Sequence, residues 1–478
     1  MQKFLSKYGL ASHLALLAAL PLALTPFLPA AGLVSVTFWL SALAAVAFLV
    51  EPSVHAGEHL SQARARVRGA CLRDPFFWFL VVALVYAGVE ALNTGIALRY
   101  DAEQAVWLVS EPSLGGGPAS AEGAGAPLFA ATVALALVAM GIRHGMGLMA
   151  RIVFGLLGAC VAGLGGFAAV ACACAGLAPF AGWMRHGFAE APFWPSLFGV
   201  WFIVCIVSAA QAAARKWKAA RLPLVIGLGG NLAALLFFAP PLVAVAWLAL
   251  AVPVFAFSLV AVSHGGSGGA VARTAVFALF GFALAAFLLM TFMPAEIRAS
   301  KVEALNPEVA FPEARAETGE ALSRIAREAW RANPWFGVGE GAFGVHVPFL
   351  AEKADWVVLP PRPTFAFNGY WTLLAERGIV GCLLPALGLG LLLATYVLRL
   401  IGALGAQSRK GESDRFLFAV PPVAWCAPFA VVLLAVEAVW SPVFRAEGLL
   451  GTALVALALA AAAFPRAKAA DAVKSSEN

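Results

Sequence analysis

Charged residues are scarce in this chain of 478 residues, since Asp, Glu, Lys and Arg make up 12% of it, against about a quarter of an ordinary soluble domain. Apolar residues take their place and make up 62% of the sequence. Apolar runs of about 18 residues or more recur along the whole length, which is the length needed to cross a bilayer as a helix. The runs are continuous and not alternating, so they predict an all-α, polytopic helical membrane protein.

Several familiar site patterns are missing as well. The chain has seven Cys, and none falls in a predicted outside loop, so no disulfide framework is expected. Cys172-Ala173-Cys174 has the wrong spacing for a zinc site, and no metal or other cofactor is predicted. Gly115-Gly116-Gly117 is not followed by Lys-Ser/Thr, so residues 98–126 are predicted as a short amphipathic piece and a linker, not as a phosphate loop. The net charge of +6 does not indicate a nucleic-acid partner, because most basic residues lie in short loops.

Twelve membrane-spanning helices are predicted, and they divide the chain into three parts. Residues 1–293 carry the first nine helices, residues 294–377 form one large polar loop, and residues 378–478 carry the last three helices and a tail. With the large loop set aside, 20 Lys and Arg fall on the side of the N-terminus and four on the other. Because short cytoplasmic loops are rich in Lys and Arg, both termini are predicted to be cytoplasmic and the large loop extracytoplasmic. The predicted spans are 9–29, 31–50, 76–97, 127–142, 152–174, 194–214, 222–238, 241–262, 274–293, 378–400, 417–439 and 447–464.

The large loop contains one amphipathic helix, predicted over residues 317–331. Its apolar residues follow the i, i+3, i+4 spacing of a helix face, and its Arg residues lie on the opposite side. Asn333 ends the helix because Pro334 follows it. Two interpretations are open. The helix lies on the membrane with its Arg side chains reaching the headgroups, or Arg324 and Arg327 hold a diphosphate, whose oxygens match the planar guanidinium fork.

Small and polar residues after this helix complete the candidate site. The glycines of Gly337–Gly341 free the backbone for tight turns and for close approach to a ligand. His346 is the one histidine of the loop, and it is either structural or a general base near neutral pH. Tyr370 and Trp371 also suit an anchor at the membrane interface. The predicted catalytic residues are Arg324, Arg327 and His346, and the predicted substrate-binding residues are Arg331, Gly337, Gly339, Gly341, Asn368, Tyr370 and Glu376.

This order of residues resembles the O-antigen ligase and polymerase superfamily of integral-membrane glycosyltransferases. The resemblance rests on the Arg-bearing helix, Asn333-Pro334, the Gly337–Gly341 glycines, and a polar Asn368-x-Tyr370 step that leads to Glu376-x-Gly378-x-x-Gly381. It covers about residues 317–385. The remainder of the chain is similar only in its number of spans and its large late loop.

The resemblance implies a metal-independent enzyme of the bacterial inner membrane. Its donor is a glycan attached to undecaprenyl diphosphate, a carrier that lies among the membrane lipid, and its acceptor is a saccharide or the lipid A core. Arg side chains hold the diphosphate leaving group, and in the ligases a His before the Asn of the Asn368 motif helps to activate the acceptor hydroxyl. Phe367 occupies that position here. The chain is therefore either a polymerase-like member with another base, for which His346, Glu340 and Glu376 are candidates, or a member that has lost activity.

A transporter or flippase of a lipid-linked sugar is the remaining alternative. Such a protein places ionisable residues near the middle of the membrane, where they are costly and usually functional. The polar residues within predicted spans are few, and the chain has no internal repeat of the kind that duplicated transporters show. Those residues are Glu90, Asn93, Asn231 and Glu437.

Overall fold

The computed structural model of the chain describes a large part of the sequence with gaps. The described residues are 42–43, 45–54, 57–175, 196–214, 220–239, 241–262, 276, 279–281, 283–284, 286–291, 293–295, 298–299, 313–359, 365–366, 368–408, 435–436 and 438. The spans predicted at 9–29 and 447–464, and nearly all of 417–439, lie outside them.

The described part of the chain is mostly helical. Four helices are long and apolar enough to cross a membrane, namely Pro75–Leu92, Gly125–Gly145, Ala150–Cys174 and Arg221–Phe238, and they lie at four of the predicted spans. The helices in chain order are α1 (Leu60–Leu72), α2 (Pro75–Leu92), α3 (Gly125–Met140, continued by a π-helical turn at Gly141–Gly145), α4 (Leu148–Cys174), α5 (Ser196–Ala214), α6 (Arg221–Phe238), α7 (Pro241–Val262), α8 (Glu313–Ala332), α9 (Phe343–Leu350) and α10 (Gly369–Ser408).

Small residues allow close packing between α4 and α6. A Cβ atom on Gly166 would lie 2.6 Å from the carbonyl oxygen of Gly230, so the two backbones touch where no side chain intervenes. The next residue of α6, Asn231, donates from its side chain to the Ala159 carbonyl of α4 at 2.8 Å. Asn231 therefore has a structural partner across this helix pair.

A buried ion pair fixes the start of α2. Arg143 and His144, in the π-helical turn, both donate to the carboxylate of Asp74, with His144 Nε2 at 2.8 Å, and Asp74 also accepts from the Phe76 backbone N–H as the helix N-cap. Burial alone would raise the pKa of Asp74, but the His144 hydrogen bond and the charge and hydrogen bonds of Arg143 outweigh it and lower that pKa to about 2. Asp74 is therefore ionised at neutral pH and ties α2 to α3.

Four short strands lie between α2 and α3, where the sequence predicts only an amphipathic piece and a linker. They are β1 (Thr94–Ile96), β2 (Leu98–Asp101), β3 (Val106–Val109) and β4 (Ser120–Ala121). β1 pairs with β4 in parallel, and β2 pairs with β3 as an antiparallel hairpin. The all-α prediction is therefore wrong in this segment, because strands of two to four residues leave too little alternation to be recognised.

The strands also shorten the span predicted at 76–97, whose helix ends at Leu92. Asn93 turns the chain out of the helix. Its amide donates to the carbonyls of Gly115 and Pro118, and its Oδ1 accepts from the backbone N–H of Leu114. Asn93 is therefore held by the loop between α2 and α3, and like Asn231 it has a structural role.

The amphipathic helix predicted at 317–331 is confirmed as α8. Its apolar face is buried against α9 and the start of α10, and not against lipid, so the interpretation that this face lies on the membrane is wrong. The buried core of this part consists of Leu322, Ile325, Ala326, Ala329, Phe343, Val347, Ala366 and Ala375.

Candidate functional site

The segment Pro334–Gly339 is inserted into a break in α10. Gly378 has φ 60° and ψ −165°, so the backbone is not helical there. The N–H groups of residues 379 and 380 donate to the carbonyls of Pro334 and Trp335, at 2.9 and 3.0 Å. In return, the carbonyls of residues 375 and 376 accept from the N–H groups of residues 338 and 339, at 2.8 and 2.9 Å. The segment thus replaces two helical hydrogen bonds of α10 with four bonds of its own.

The glycines predicted to bind substrate lie against the backbone of the protein. Gly337, Gly339 and Gly341 all have positive φ, at 70°, 107° and 75°. A Cβ on Gly337 would lie 2.5 Å from the carbonyl oxygen of Ala375, and one on Gly339 would lie 2.6 Å from the Ile96 side chain. The first two glycines therefore permit close packing on α10 and on β1, which accounts for their presence without a ligand.

Glu340 joins the glycine segment to the strands. Its backbone N–H donates to the Ala119 carbonyl at 2.9 Å, and its carbonyl accepts from the Ala121 N–H at 2.8 Å. This parallel bridge beside β4 connects residues more than 200 positions apart in sequence. The large loop and the loop between α2 and α3 are therefore one folded unit.

A buried charged cluster lies beneath this junction and consists of Glu90, Glu340 and Arg377. Arg377 Nε lies 2.6 Å from Glu340 Oε2 and 3.9 Å from Glu90 Oε1. Glu90 is 1% exposed, and among the described residues its Oε2 has no hydrogen-bond partner, nor has the Tyr86 hydroxyl. In the sequence, Arg377 is only one of the four basic residues outside the large loop that are predicted on the extracytoplasmic side, and Glu90 is only a candidate residue of a transporter. The one signal that could have joined them is a Glu within an apolar run, which requires a positive partner.

Arg324 forms ion pairs with three carboxylates of the large loop. Its guanidinium pairs with Asp355, with Glu352 at 3.2 Å and with Glu328 at 3.3 Å. The hydrogen bond from Arg324 lowers the pKa of Asp355 against the opposing effect of burial, and the same hydrogen bond raises the pKa of Arg324. The charge of Arg324 is thus already compensated by neighbouring carboxylates.

The pair of Arg324 and Asp355 predicts a pH-dependent contribution to stability. Because the pKa of Asp355 is lower in the folded protein than in the unfolded chain, the stabilisation is fully present above the unfolded pKa, and it is lost as the pH falls through the folded pKa. We expect Asp355→Asn to lower the free energy of unfolding by about 1 kcal/mol or less at neutral pH and to match wild type at acid pH. Thermal unfolding of both proteins at the two pH values tests this, with Glu320→Gln, an exposed change on α8 one turn before Arg324, as control. A difference that persists at acid pH would contradict it.

Arg327 and Arg331 take no part in the ion pairs of Arg324. The Arg327 guanidinium lies over the Trp371 ring, 5.5 Å from its centroid, and its Nε donates to the Ser323 carbonyl at 3.4 Å. Trp330 packs beside Trp371 with ring centroids 6.4 Å apart. We call Arg327, Trp330 and Trp371 the Arg327 patch. In the described part of the chain neither Arg327 nor Arg331 forms an ion pair, and both are exposed.

His346 is half-buried on α9, and its ring position is fixed. Nδ1 lies 2.9 Å from the carbonyl oxygen of Ala342. A carbonyl only accepts, so Nδ1 carries the hydrogen and Nε2 of the neutral ring retains its lone pair. This tautomer is the one that a general base acting through Nε2 requires.

Asn368 and Glu376 cap helices. Asn368 Oδ1 accepts from the N–H groups of Tyr370 and Trp371 at 3.0 and 3.1 Å, which makes it the N-cap of α10. Glu376 is 2% exposed, and its Oε1 accepts from the Phe343 N–H at 3.3 Å, at the first residue of α9. These contacts explain both residues structurally, because Asn368 maintains the start of α10 and Glu376 the start of α9.

Tyr370 connects the start of α10 to a later part of the chain, because its hydroxyl donates to the Ala435 carbonyl at 2.7 Å. Phe367, which stands where the resemblance to the ligases predicts His, lies outside the described residues. Within the described ranges, no three His, Cys, Asp or Glu side chains are grouped so that they could hold a metal ion. Of the three candidate bases, Glu376 accepts a hydrogen bond as a helix cap and Glu340 pairs with Arg377, whereas His346 is bonded through Nδ1.

Comparison with known proteins adds no assignment. The chain matches no protein-family model and no curated protein.

Proposed function

We propose that this chain is an integral-membrane glycosyltransferase of the bacterial inner membrane. It moves or polymerises a glycan from an undecaprenyl-diphosphate carrier onto an acceptor hydroxyl during assembly of a cell-envelope polysaccharide. In this proposal the chain crosses the membrane about twelve times, both termini are cytoplasmic, and the unit that carries α8 and α9 faces the outside. The four apolar helices long enough to span a membrane support the membrane location.

The Arg327 patch is the observation that carries the proposal. It presents an exposed guanidinium whose charge no described carboxylate compensates, held over an aromatic ring at the N-terminal end of α10. Arg is suited to diphosphate because its planar donors match phosphate oxygens and its charge is permanent. Arg331 follows one turn later on α8 and adds a second exposed guanidinium. The diphosphate-binding role predicted for Arg324 and Arg327 is therefore assigned here to Arg327 and Arg331.

Each step of the transfer then has a group to assist it. The oxygen of the acceptor hydroxyl forms a bond to the anomeric carbon of the donor glycan, and the bond from that carbon to the diphosphate oxygen breaks. The diphosphate leaves with the electron pair, and Arg327 and Arg331 stabilise its added negative charge. The hydroxyl proton moves to Nε2 of His346. A good leaving group lowers the demand on the base, so most of the stabilisation comes from the Arg side chains.

The test is the amount of undecaprenyl-diphosphate-linked glycan in a strain that lacks the protein. We expect undelivered lipid-linked glycan to accumulate on the outer face. Wild type and Arg298→Ala, an exposed Arg outside the patch, should remove it, and Arg327→Ala/Arg331→Ala should not. Accumulation on the cytoplasmic face would instead indicate a transporter. An unchanged amount would indicate a protein without transferase activity, as Phe367 in place of His allows.

A further inference from the structure

One face of α2 is a largely exposed apolar stripe, and its first residue, Trp78, donates from its ring N–H to the Leu72 carbonyl at 2.9 Å. Trp78, Val82, Val85, Val89 and Leu92 are all exposed, and their spacing of four, three, four and three residues places them on a single helix face. Because α2 is long and apolar enough to span a membrane, this stripe is its lipid-facing side. The stripe continues to the last residue of the helix, Leu92, which is 73% exposed.

The hairpin of β2 and β3 follows α2 closely in the chain. It begins six residues after Leu92, so it starts no more than about 20 Å from the helix end. Residues directly opposed in an antiparallel pair share a face. The pairs Leu98 with Val109 and Tyr100 with Trp107 therefore lie on one face, which we call the aromatic face.

The two faces of the hairpin differ sharply in charge. The aromatic face carries no charged side chain, and its Tyr100 and Trp107 rings are in contact, with centroids 5.3 Å apart. Both rings are more than half exposed, at 54% and 56%. The opposite face carries Arg99 and Asp101, paired with the apolar residues Leu108 and Val106. Adjacent exposed aromatic rings with no charged neighbour on their face indicate an interaction surface.

We infer that the aromatic face lies on the outer surface of the bilayer and anchors the folded loop unit to the lipid headgroup region. Tyr and Trp are the residues that concentrate at this depth, because each combines an apolar ring with one hydrogen-bonding group. The hairpin begins within about 20 Å of the lipid-facing stripe of α2, and in this arrangement the face that carries Arg99 and Asp101 is turned toward water. The anchor does not depend on the proposed transferase activity.

The chemistry of the aromatic face favours lipid over a saccharide. A sugar stacked on a ring also needs polar groups beside the ring to satisfy its hydroxyls, as any buried polar group does. The neighbours of Tyr100 and Trp107 on this face are Leu98 and Val109, and neither offers such a group. The base of the hairpin is fixed by protein contacts, since Val109 packs against Ile96 and Ala119. The anchor therefore also sets the height of the parallel bridge at Glu340 above the membrane.

A pair of nitroxide labels on adjacent residues tests the inference. The full chain is placed in phospholipid nanodiscs with a spin-labelled unnatural amino acid at position 107 or at position 108, which is the next residue on β3 and faces the other way. Collision with dissolved oxygen, which concentrates in lipid, is compared with collision with a water-soluble nickel chelate. We expect oxygen to dominate at position 107, as at position 85 on the α2 stripe, and nickel to dominate at position 108.

Equal exposure of positions 107 and 108 to nickel would overturn the anchor. Exposure of position 107 to nickel in lipid alone, with protection only after oligosaccharide is added, would overturn it in favour of a saccharide platform. A label at position 100 repeats the measurement on the same face in case the change at 107 prevents folding. Oxygen-dominated relaxation at position 100 would support the anchor, and nickel-dominated relaxation there would reject it.

Discussion

Gly378→Ala is expected to lower the free energy of unfolding by at least about 3 kcal/mol, because alanine is strained in a backbone conformation that glycine alone adopts readily. Packing adds to the strain. A Cβ at this position would lie 2.5 Å from the carbonyl carbon of Trp335 and 2.6 Å from the nitrogen of Gly337. These are backbone atoms of the segment inserted into α10, which four hydrogen bonds hold in place. They cannot move aside without the loss of those bonds.

The matched control for this change lies twelve residues further along the same helix. No heavy atom lies within 4 Å of the place that a Cβ on Gly390 would occupy. Alanine is the better helix former by about 1 kcal/mol, so Gly390→Ala is expected to leave the melting temperature unchanged or to raise it. The measurement is the melting temperature of both purified variants in the same detergent. Equal melting temperatures would show that the break in α10 does not require glycine.

Arg327→Ala is expected to slow glycan transfer on the order of a hundredfold, the usual effect of removing one donor that stabilises charge in a transition state. Stability should change little, since Arg327 is exposed and makes one weak hydrogen bond. Arg327→Lys should fall between wild type and alanine, because it keeps the charge and loses the planar fork. The measurement is the rate at which the lipid-linked glycan disappears in the rescued strain.

Arg324 supplies the contrast to Arg327 on the same helix. Its removal leaves Asp355 and Glu352 without their partner, so Arg324→Ala is expected to reduce stability and to slow transfer far less than Arg327→Ala does. Arg298→Ala should leave both unchanged. If Arg324→Ala and Arg327→Ala slow transfer equally while both proteins remain folded, the assignment of the diphosphate to the Arg327 patch is wrong.

Much of the helical part of the fold could be predicted from the sequence, because apolar length and local breakers are properties of neighbouring residues. The span predicted at 152–174 is observed as Leu148–Cys174, and that predicted at 222–238 is Arg221–Phe238. The amphipathic helix ends just before Asn333-Pro334 for the local reason expected. The strands between α2 and α3 could not be recognised, since two to four residues show too little alternation of apolar and polar side chains.

The partners within the candidate site depend on contacts between distant residues, which no local pattern contains. Arg324 and Arg327 look alike in sequence, yet only Arg324 meets Asp355, which lies 31 positions away. The glycines of Gly337–Gly341 look like a ligand loop until α10 is found to be open at Gly378. Glu90 and Arg377 become a pair only because α2 and α10 meet. Sequence therefore predicted where the polar chemistry is concentrated and not which side chains remain available for it.

The bridge between β4 and Glu340 has a consequence for synthesis of the protein. Ser120 leaves the ribosome long before Glu340, and the bridge between them cannot form until the later residue has been made. At about 5–20 residues per second, the wait lasts roughly 10–40 s. Throughout that interval the loop between α2 and α3 lacks its partner at Glu340. The edge of β4 is then open to pairing with a wrong segment.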